Sequence, residues 1–337
     1  MAPVSNLSCF SLRLCGSTVF FTMSKAIGIA FSLLVLLAAT YAFSPRPAPV
    51  FPAKGISVDT LLLLDAAQAG KRLVAVGERG HIVISDDNGK AWQQVASPTQ
   101  ATLTSLYFLD AKNGWAVGHD SVILKSTDGG ASWRLVFSAP DLKKPLLKVW
   151  FSDARNGFAL GAYGLFLQTH DGGAGWQQRT IVEGDKHLNA LTAHVGGKLF
   201  IAGEAGLLLR SDDQGQTWQA LPTPYKGSFF GIVALRDGSV LAYGLRGKIF
   251  RSADAGETWE AIANASQATL MSDYVQADGS VILAGQSGTV LTSHDDGKTF
   301  ELQLHPDRKC VAAIWPAGKN TLLFGPGAYQ GSEQSVK

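Results

Sequence analysis

The chain has little of what disulfide frameworks, metal centres and nucleic-acid interfaces need. It has only three cysteines among 337 residues, and Cys9 and Cys15 precede an apolar N-terminal run, so the remainder keeps Cys310 alone. One cysteine excludes an intradomain disulfide and a thiolate metal cluster in a mature protein. The formal net charge of +2 is too near zero to indicate nucleic-acid binding. The seven histidines form no metal-binding pair, and neither metal nor cofactor is predicted.

What the chain does have is apolar residues and glycine. Hydrophobic residues make up 46% of the sequence, and 37 residues are glycine. This composition favours a well-packed all-β protein with many tight turns. A helical hydrophobic period does not recur along the chain.

The N-terminal region has the features of an export signal. Residues 26–43 carry no charge and follow Lys25, behind a leader over residues 1–25 whose true start we place at Met23. The run is a signal peptide or a membrane anchor, since both fit its length. A Pro-rich linker is predicted over 44–49, the folded domain over 50–330 and a tail over 331–337. We therefore expect an exported protein, periplasmic or anchored with its domain on the extracytoplasmic side.

One turn motif, Ser/Thr-x-Asp-x-Gly-x-x-aromatic, recurs six times at steps of about 41–43 residues. An Asp side chain can accept hydrogen bonds from backbone N–H groups about two residues on, and glycine adopts the conformation that the turn needs. Calcium binding is disfavoured, because each copy offers one carboxylate and Ca²⁺ takes about 6–8 oxygen ligands. The structural Asp and aromatic residues are Asp87 and Trp92, Asp128 and Trp133, Asp171 and Trp176, Asp213 and Trp218, Asp254 and Trp259, and Asp295 and Phe300.

A second pattern, an apolar run ending in glycine, then two variable residues and another apolar run, recurs seven times in phase with the first. It predicts a hairpin in each unit, and therefore four short strands per unit of about 40–45 residues. The predicted fold is a seven-bladed β-propeller of four-stranded antiparallel blades. The seventh unit lacks an Asp turn, so we expect residues 50–56 to complete it as an outer strand, where Pro52 is tolerated. The leading glycines are Gly77, Gly118, Gly161, Gly203, Gly244, Gly285 and Gly325.

The repeated Ser-x-Asp-x-Gly-x-x-Trp turn resembles the bacterial neuraminidase repeat, or Asp box. The longer units AVGERGHIVISDDNGKAW and AGEAGLLLRSDDQGQTW are similar to the photosystem II assembly/stability factor family of propellers. This resemblance implies a seven-bladed fold, an extracytoplasmic location and a chaperone-like or scaffolding role. Relatives in bacteria that do not photosynthesise are thought to accompany membrane transport systems, so a transporter component is an alternative partner to a photosystem subunit.

The alternative class is a glycoside hydrolase, because sialidases and some glucanases share these repeats. A sialidase needs an arginine cluster and a Tyr nucleophile with an acidic partner. The predicted inner strands, which include Leu61–Ala66, Leu188–Ala193 and Lys309–Trp315, contain no arginine. Tyr107 and Tyr274 are interpreted as packing residues, and no spacing pairs Asp65 with Asp273. We therefore predict no catalytic residue and no enzyme activity.

Binding is predicted at the face that carries the hairpin tips between second and third strands together with the loops that link blades. The tips vary within a constant frame, as recognition surfaces do, although solvated tips can also vary without function. Eight basic and seven acidic residues on this face nearly cancel, which favours a protein partner over a polyanion. We expect a monomeric propeller that binds a membrane-protein subunit or transporter component and no nucleic acid. The candidate partner-binding residues are Arg79, His119, Tyr163, Glu204, Arg246, Lys143 and Lys144.

Overall fold

A computed structural model describes residues 16–44, 57–317 and 320–331, and it divides into two compact units, Met1–Phe51 and Pro52–Lys337. In the first unit, helix α1 spans Gly16–Ala42, and its apolar side chains from Ile27 onward are exposed. No helix among the described residues is long and apolar enough to cross a membrane. The predicted leader, linker and tail boundaries stay predictions.

The second unit consists of consecutive antiparallel sheets, each built from strands that are neighbours along the chain. The first three sheets comprise β1 Leu63–Ala69, β2 Arg72–Gly77, β3 Ile82–Ser85 and β4 Gln93–Val95; β5 Leu103–Phe108, β6 Gly114–Gly118, β7 Ile123–Ser126 and β8 Arg134–Phe137; and β9 Leu146–Phe151, β10 Gly157–Gly161, β11 Phe166–Thr169 and β12 Gln177–Gln178. The next three comprise β13 Leu188–Ala193, β14 Leu199–Gly203, β15 Leu208–Ser211 and β16 Gln219–Ala220; β17 Phe229–Ala234, β18 Val240–Gly244, β19 Ile249–Ser252 and β20 Glu260–Ile262; and β21 Leu270–Val275, β22 Val281–Gly285, β23 Thr289–Ser293 and β24 Glu301–Leu304. The last sheet comprises β25 Ala313–Ala317, β26 Asn320–Gly325 and β27 Gly327–Gly331.

The all-β propeller of four-stranded antiparallel blades is confirmed, but not as seven complete blades. Six blades have four strands, whereas the described part of the C-terminal sheet has three. The prediction of seven four-stranded blades is therefore wrong. The expected closing strand at residues 50–56 lies outside the described residues.

The start of the second unit is joined to its end by backbone contacts. Val58–Thr60 forms a 3-10 turn, and Leu62 forms an antiparallel bridge with Pro326. The Gly327 N–H also donates to the Leu61 carbonyl at 2.7 Å. These contacts tie the first blade to the C-terminal sheet.

Each Asp turn joins a third strand to a fourth through a short hydrogen-bond network. In the first blade, the Ser85 hydroxyl donates to Asp87 Oδ1 at 2.8 Å and accepts from the Gly89 N–H at 2.8 Å. Asp87 Oδ1 also accepts from the Ala91 N–H at 2.9 Å. The aspartate therefore accepts from the N–H groups three and four residues on, rather than about two as the sequence predicts. The serine binds the glycine N–H instead, which explains why the motif contains a hydroxyl residue.

The hydrogen bonds lower the pKa of all six turn aspartates. At Asp213, Asp254 and Asp295 the pKa falls to about 2, chiefly because a threonine hydroxyl four residues on donates to the carboxylate. Asp128 and its serine make the same contact, at 2.5 Å. The carboxylates are thus held ionised to stabilise backbone, which is a structural role.

Candidate functional site

The turns between second and third strands lie beside the loops that link consecutive blades. The Ser121 hydroxyl donates to the Lys144 carbonyl at 2.7 Å, and the Gly206 N–H donates to the Gly227 carbonyl at 2.8 Å. The Asp turns instead contact the turns between first and second strands, as in the 3.0 Å bond from the Gly129 N–H to the Lys112 carbonyl. The first set of turns and loops, which we call the docking face, is therefore opposite the Asp turns, as predicted.

Six tips of the docking face share one strained backbone conformation. The second tip residue is left-handed at Arg79, Asp120, Tyr163, Ala205, Arg246 and Ser287, with φ between 53° and 58°. Left-handed backbone at a residue other than glycine costs about 1–3 kcal/mol, and such residues cluster at functional sites. Because the conformation is shared, each blade presents its second tip side chain in the same way.

The third and fourth blades bring several of the predicted binding residues together. Lys144 Nζ donates to the Tyr163 carbonyl at 3.0 Å, and the Tyr163 ring packs edge-on against His187 with centroids 4.8 Å apart. The His187 N–H in turn donates to Glu204 at 3.2 Å. The Tyr163 side chain remains 46% exposed, so a ring with fixed neighbours is available to a partner.

The other predicted binding residues occupy separate positions on the docking face. Arg79, His119 and Arg246 are exposed at the tips of the first, second and fifth blades, and Lys143 is exposed in the loop before the third. The structure does not join them into one cluster. A partner that reached all of them would have to extend across several blades.

Two residues of the docking face escaped the sequence analysis. His187 orients Tyr163 and Glu204, and the Tyr225 hydroxyl donates to the Leu245 carbonyl at 3.0 Å, beside Arg246. Burial raises the pKa of Tyr225, and the nearby Arg246 charge lowers it by a smaller amount. Both residues lie in the loop that leads into the next blade, and that position is the signal that could have identified them.

The central channel contains a polar cavity of about 290 Å³ lined by inner-strand residues. It brings Asp65 and Asp273 together with Lys148, although these residues are far apart in sequence. No arginine lines the cavity among the described residues, which disfavours a sialidase-type site. Tyr274 also lines it and packs edge-on against Trp315, whereas the Tyr107 hydroxyl donates to the Phe151 carbonyl at 2.9 Å.

In the described ranges, no group of three or more His, Cys, Asp or Glu side chains is arranged to hold a metal ion. The turn aspartates each contact their own turn, and each copy has a single carboxylate at the shared position. The turns therefore offer no set of carboxylates that a hard cation would need.

The chain is similar in sequence to a curated protein and similar in fold to a solved structure. A segment of 85 residues is 34% identical to "Photosystem II stability/assembly factor HCF136, chloroplastic" of Cyanidioschyzon merolae, covering 23% of this chain and 20% of that protein. The solved structure "YCF48 bound to D1 peptide" superposes with a TM-score of 0.67 at 20% identity, covering 86% of this chain and 98% of that one. The sequence match to HCF136 thus spans about a fifth of the curated relative.

The same architecture also occurs in an enzyme. The virginiamycin B lyase of Staphylococcus aureus superposes with a TM-score of 0.68 at 14% identity, covering 80% of this chain and 93% of the lyase. Identity this low shows a common fold only. The architecture therefore does not decide between binding and catalysis.

The family model described as "Photosynthesis system II assembly factor YCF48" matches residues 84–141 and 138–280. These ranges include five of the six Asp turns and the five inner strands β5, β9, β13, β17 and β21, and together they cover more than half of the chain. The chain belongs to the Photosynthesis system II assembly factor YCF48 family.

Proposed function

We propose that this propeller is a non-catalytic binding protein whose docking face holds an extended segment of a membrane protein during assembly. The observation that carries the proposal is the set of six strained tips that present different exposed side chains from one repeated backbone. A rigid frame with variable tips recognises a partner by side-chain chemistry at little cost in ordering the protein.

The chemistry of the docking face favours a peptide over a polyanion. Basic Arg79, Lys144 and Arg246 alternate around the face with acidic Glu78, Asp120 and Glu204. The exposed Tyr163 ring supplies an apolar and aromatic contact, the type that is enriched at interfaces. The solved structure of a similar protein, YCF48, has a D1 peptide bound, which supports a membrane-protein segment as the class of partner.

Export is part of the proposal. The uncharged run over residues 26–43 behind Lys25 supports secretion of the propeller to the extracytoplasmic side, where segments of membrane proteins are accessible. The partner is a photosystem subunit or a transporter component, and the propeller acts as a monomer. N-terminal sequencing of the protein recovered from the extracytoplasmic side tests this step: a start beyond residue 40 identifies a cleaved signal peptide, an intact run identifies a membrane anchor, and no protein on that side rejects export.

A peptide-binding measurement tests the docking face directly. The probe is a D1 peptide, titrated onto immobilised protein and followed by surface plasmon resonance. We expect the combined substitutions Arg79→Ala, Tyr163→Ala and Arg246→Ala to weaken binding by at least tenfold with a nearly unchanged melting temperature, because all three side chains are exposed.

The matched control carries Lys90→Ala, Gln177→Ala and Lys298→Ala, three exposed positions at or next to the Asp turns on the opposite face. It should bind as the unmodified protein does. Equal binding by both triple variants would reject the docking face.

A further inference from the structure

The repeat provides an internal reference for one unusual pair of residues. At five junctions between neighbouring sheets, a residue of a second strand shares a core cluster with the equivalent residue of the following first strand, and both are aliphatic. These pairs are Val76 with Leu106, Val117 with Val149, Leu160 with Leu191, Ala202 with Ile232, and Ala284 with Ile314. At the junction of the fifth and sixth blades, the strand registers put Tyr243 and Asp273 at these positions.

The Tyr243–Asp273 pair is built into the channel wall. The Tyr243 hydroxyl donates to Asp273 Oδ1 at 2.5 Å, and the tyrosine is only 1% exposed. A Cβ on Gly231 would lie 1.9 Å from Tyr243 Cζ, so glycine at this inner-strand position makes room for the ring. An aliphatic pair meets the packing need at five other junctions, and Phe324 with Ala66 meets it at the junction of the C-terminal sheet with the first blade, so packing alone does not explain a buried tyrosine and carboxyl group.

A ring of equivalent inner-strand positions faces the same cavity. The register shift near the start of each inner strand brings Asp65, Ser105, Lys148 and Ser272 to matching positions, and all four line the cavity. The Asp65 carboxylate is held by two backbone N–H groups, those of Ala66 and Leu106, each at 2.8 Å. The cavity therefore holds two carboxyl groups and one lysine.

Two serine hydroxyls in this ring point to a ligand. Ser105 is 1% exposed and Ser272 is 8% exposed, and neither Oγ has a hydrogen-bond partner in the described part of the chain. Neighbouring polar groups of the cavity are satisfied, as shown by the bond of 2.6 Å from the Thr104 hydroxyl to the Leu146 carbonyl. An unpaired buried hydroxyl destabilises the folded protein, and a bound donor would remove that cost.

The charges and acceptors define the chemistry of that ligand. Within the described lining, Lys148 is the one cationic side chain beside Asp65 and Asp273, so the lining has more acidic and acceptor groups than basic ones. Burial raises the pKa of Asp273, and the hydrogen bond from the Tyr243 hydroxyl lowers it by a smaller amount. A primary ammonium ion carries one positive charge and three N–H donors, one for each carboxylate and a third that the two serine hydroxyls share. We propose that the channel cavity of about 290 Å³ binds a primary ammonium group between Asp65, Asp273 and the Ser105 and Ser272 hydroxyls.

Three small molecules of similar size and different charge test whether the cavity selects a positive charge or only a molecule that fits. Propylammonium, 1-propanol and propionate are titrated into the purified full chain at pH 7 by isothermal titration calorimetry. Propylammonium is expected to bind at least tenfold more tightly than either of the others. If 1-propanol binds equally well, or if propionate binds best through Lys148, the proposal is wrong.

Substitutions at the inner-strand positions that line the cavity test whether propylammonium binds there. The double substitution Ser105→Ala and Ser272→Ala removes two unpaired hydroxyls, so it should leave the melting temperature unchanged or raise it while weakening propylammonium at least threefold. Asp65→Asn should weaken it at least tenfold. Gln177→Ala, at an exposed position of an outer strand, is the control and should bind propylammonium as the unmodified protein does. Unaltered affinity in the double serine variant would overturn the proposal.

An ammonium group could come from a free amine or from a lysine side chain of a partner. Nα-acetyl-lysine amide distinguishes the two, because its backbone must fit at the mouth of the channel. Tighter binding of the blocked lysine than of propylammonium assigns the site to a partner's side chain, and weaker binding assigns it to a free amine. Both results support the ammonium site, whereas failure of both compounds to bind rejects it.

Discussion

A Cβ atom added to Gly77 would lie 1.9 Å from the carbonyl oxygen of Leu62. That carbonyl accepts a hydrogen bond from the Glu78 N–H at 3.0 Å, so the second strand ends against the backbone of the first. The other leading glycines meet a carbonyl oxygen at 2.0–2.5 Å in the same way. Gly77 has an extended backbone with φ −169°. Glycine is therefore required here by the close approach of the Leu62 carbonyl, and not by a left-handed conformation. The equivalent contacts are Gly118 with Thr102, Gly161 with Pro145, Gly203 with His187, Gly244 with Ser228, Gly285 with Thr269, and Gly325 with Cys310.

The Gly77→Ala variant should lose about 3–4 kcal/mol of unfolding free energy, because the methyl group forces two backbones apart. Gly184→Ala is the control, since Gly184 has φ +80° but no atom within 4 Å of an added Cβ. It should lose only about 1 kcal/mol through backbone strain. Urea denaturation of both variants checks the prediction, and equal losses would contradict it.

The Asp254 turn should make stability depend on acid pH. Its pKa is lowered from 3.8 to about 2, first by the Thr258 hydroxyl. A lowered folded-state pKa means that the stabilisation is complete above about pH 4 and is lost as the pH falls toward 2. Asp254→Asn should therefore cost about 1 kcal/mol at pH 6, after allowance for solvent exposure, and almost nothing at pH 2.

Thermal denaturation between pH 2 and pH 6 measures the difference between the Asp254→Asn variant and the unmodified protein. Asp141→Asn is the matched control, because Asp141 is exposed in a blade-linking loop and its carboxylate accepts no hydrogen bond within the described ranges. Its effect on the melting temperature should be small. A constant difference for Asp254→Asn across the range would show that the carboxylate charge is not what stabilises the turn.

Arg210 joins the fourth blade to the Asp turn of the fifth. Its Nη1 donates to the Ala255 carbonyl at 2.8 Å and to Glu257 at 2.7 Å, and the residue is 8% exposed. Arg210→Met should cost about 2–3 kcal/mol, because it removes charge-assisted bonds and leaves a carbonyl without its donor. Lys198→Met breaks only the more exposed pair with Asp212 and should cost under about 1 kcal/mol. Chemical denaturation compares the two variants, and a smaller loss for Arg210→Met would contradict this assignment.

The fold was largely predictable because turn chemistry marks the strand ends. The predicted inner strand Leu188–Ala193 agrees with β13 at both ends. The first inner strand was placed at Leu61–Ala66, but β1 begins at Leu63, because Leu62 bridges to Pro326 in the C-terminal sheet. Likewise β25 begins at Ala313 rather than Lys309, since the Val311 N–H bonds to Gly285 in the preceding blade. Both errors therefore fall where the chain contacts another sheet before its own strand begins, the C-terminal sheet for Leu62 and the sixth blade for Val311.

The channel pair was not found because its partners are 30 residues apart in different repeats. Pairing Tyr243 with Asp273 requires both strand registers, which the repeat spacing alone does not supply. The available signal is a tyrosine at a second-strand position where the first three blades have Val76, Val117 and Leu160. Contacts from Arg210 and Lys125 to the next blade's turn were missed for the same reason, since they also cross between repeats.

The turn tryptophans differ in one hydrogen bond, which allows a last comparison within the repeat. Trp133 Nε1 donates to the Gly130 carbonyl at 3.1 Å, whereas Trp176 Nε1 is buried without a partner among the described residues. Both rings pack edge-on against a phenylalanine, Phe108 and Phe151 respectively. Trp133→Phe should therefore cost about 1 kcal/mol more than Trp176→Phe, because only the first loses a made bond and the second removes an unsatisfied donor. Guanidinium denaturation of the two variants measures this difference, and a greater loss for Trp176→Phe would mean that packing of the indole outweighs its N–H.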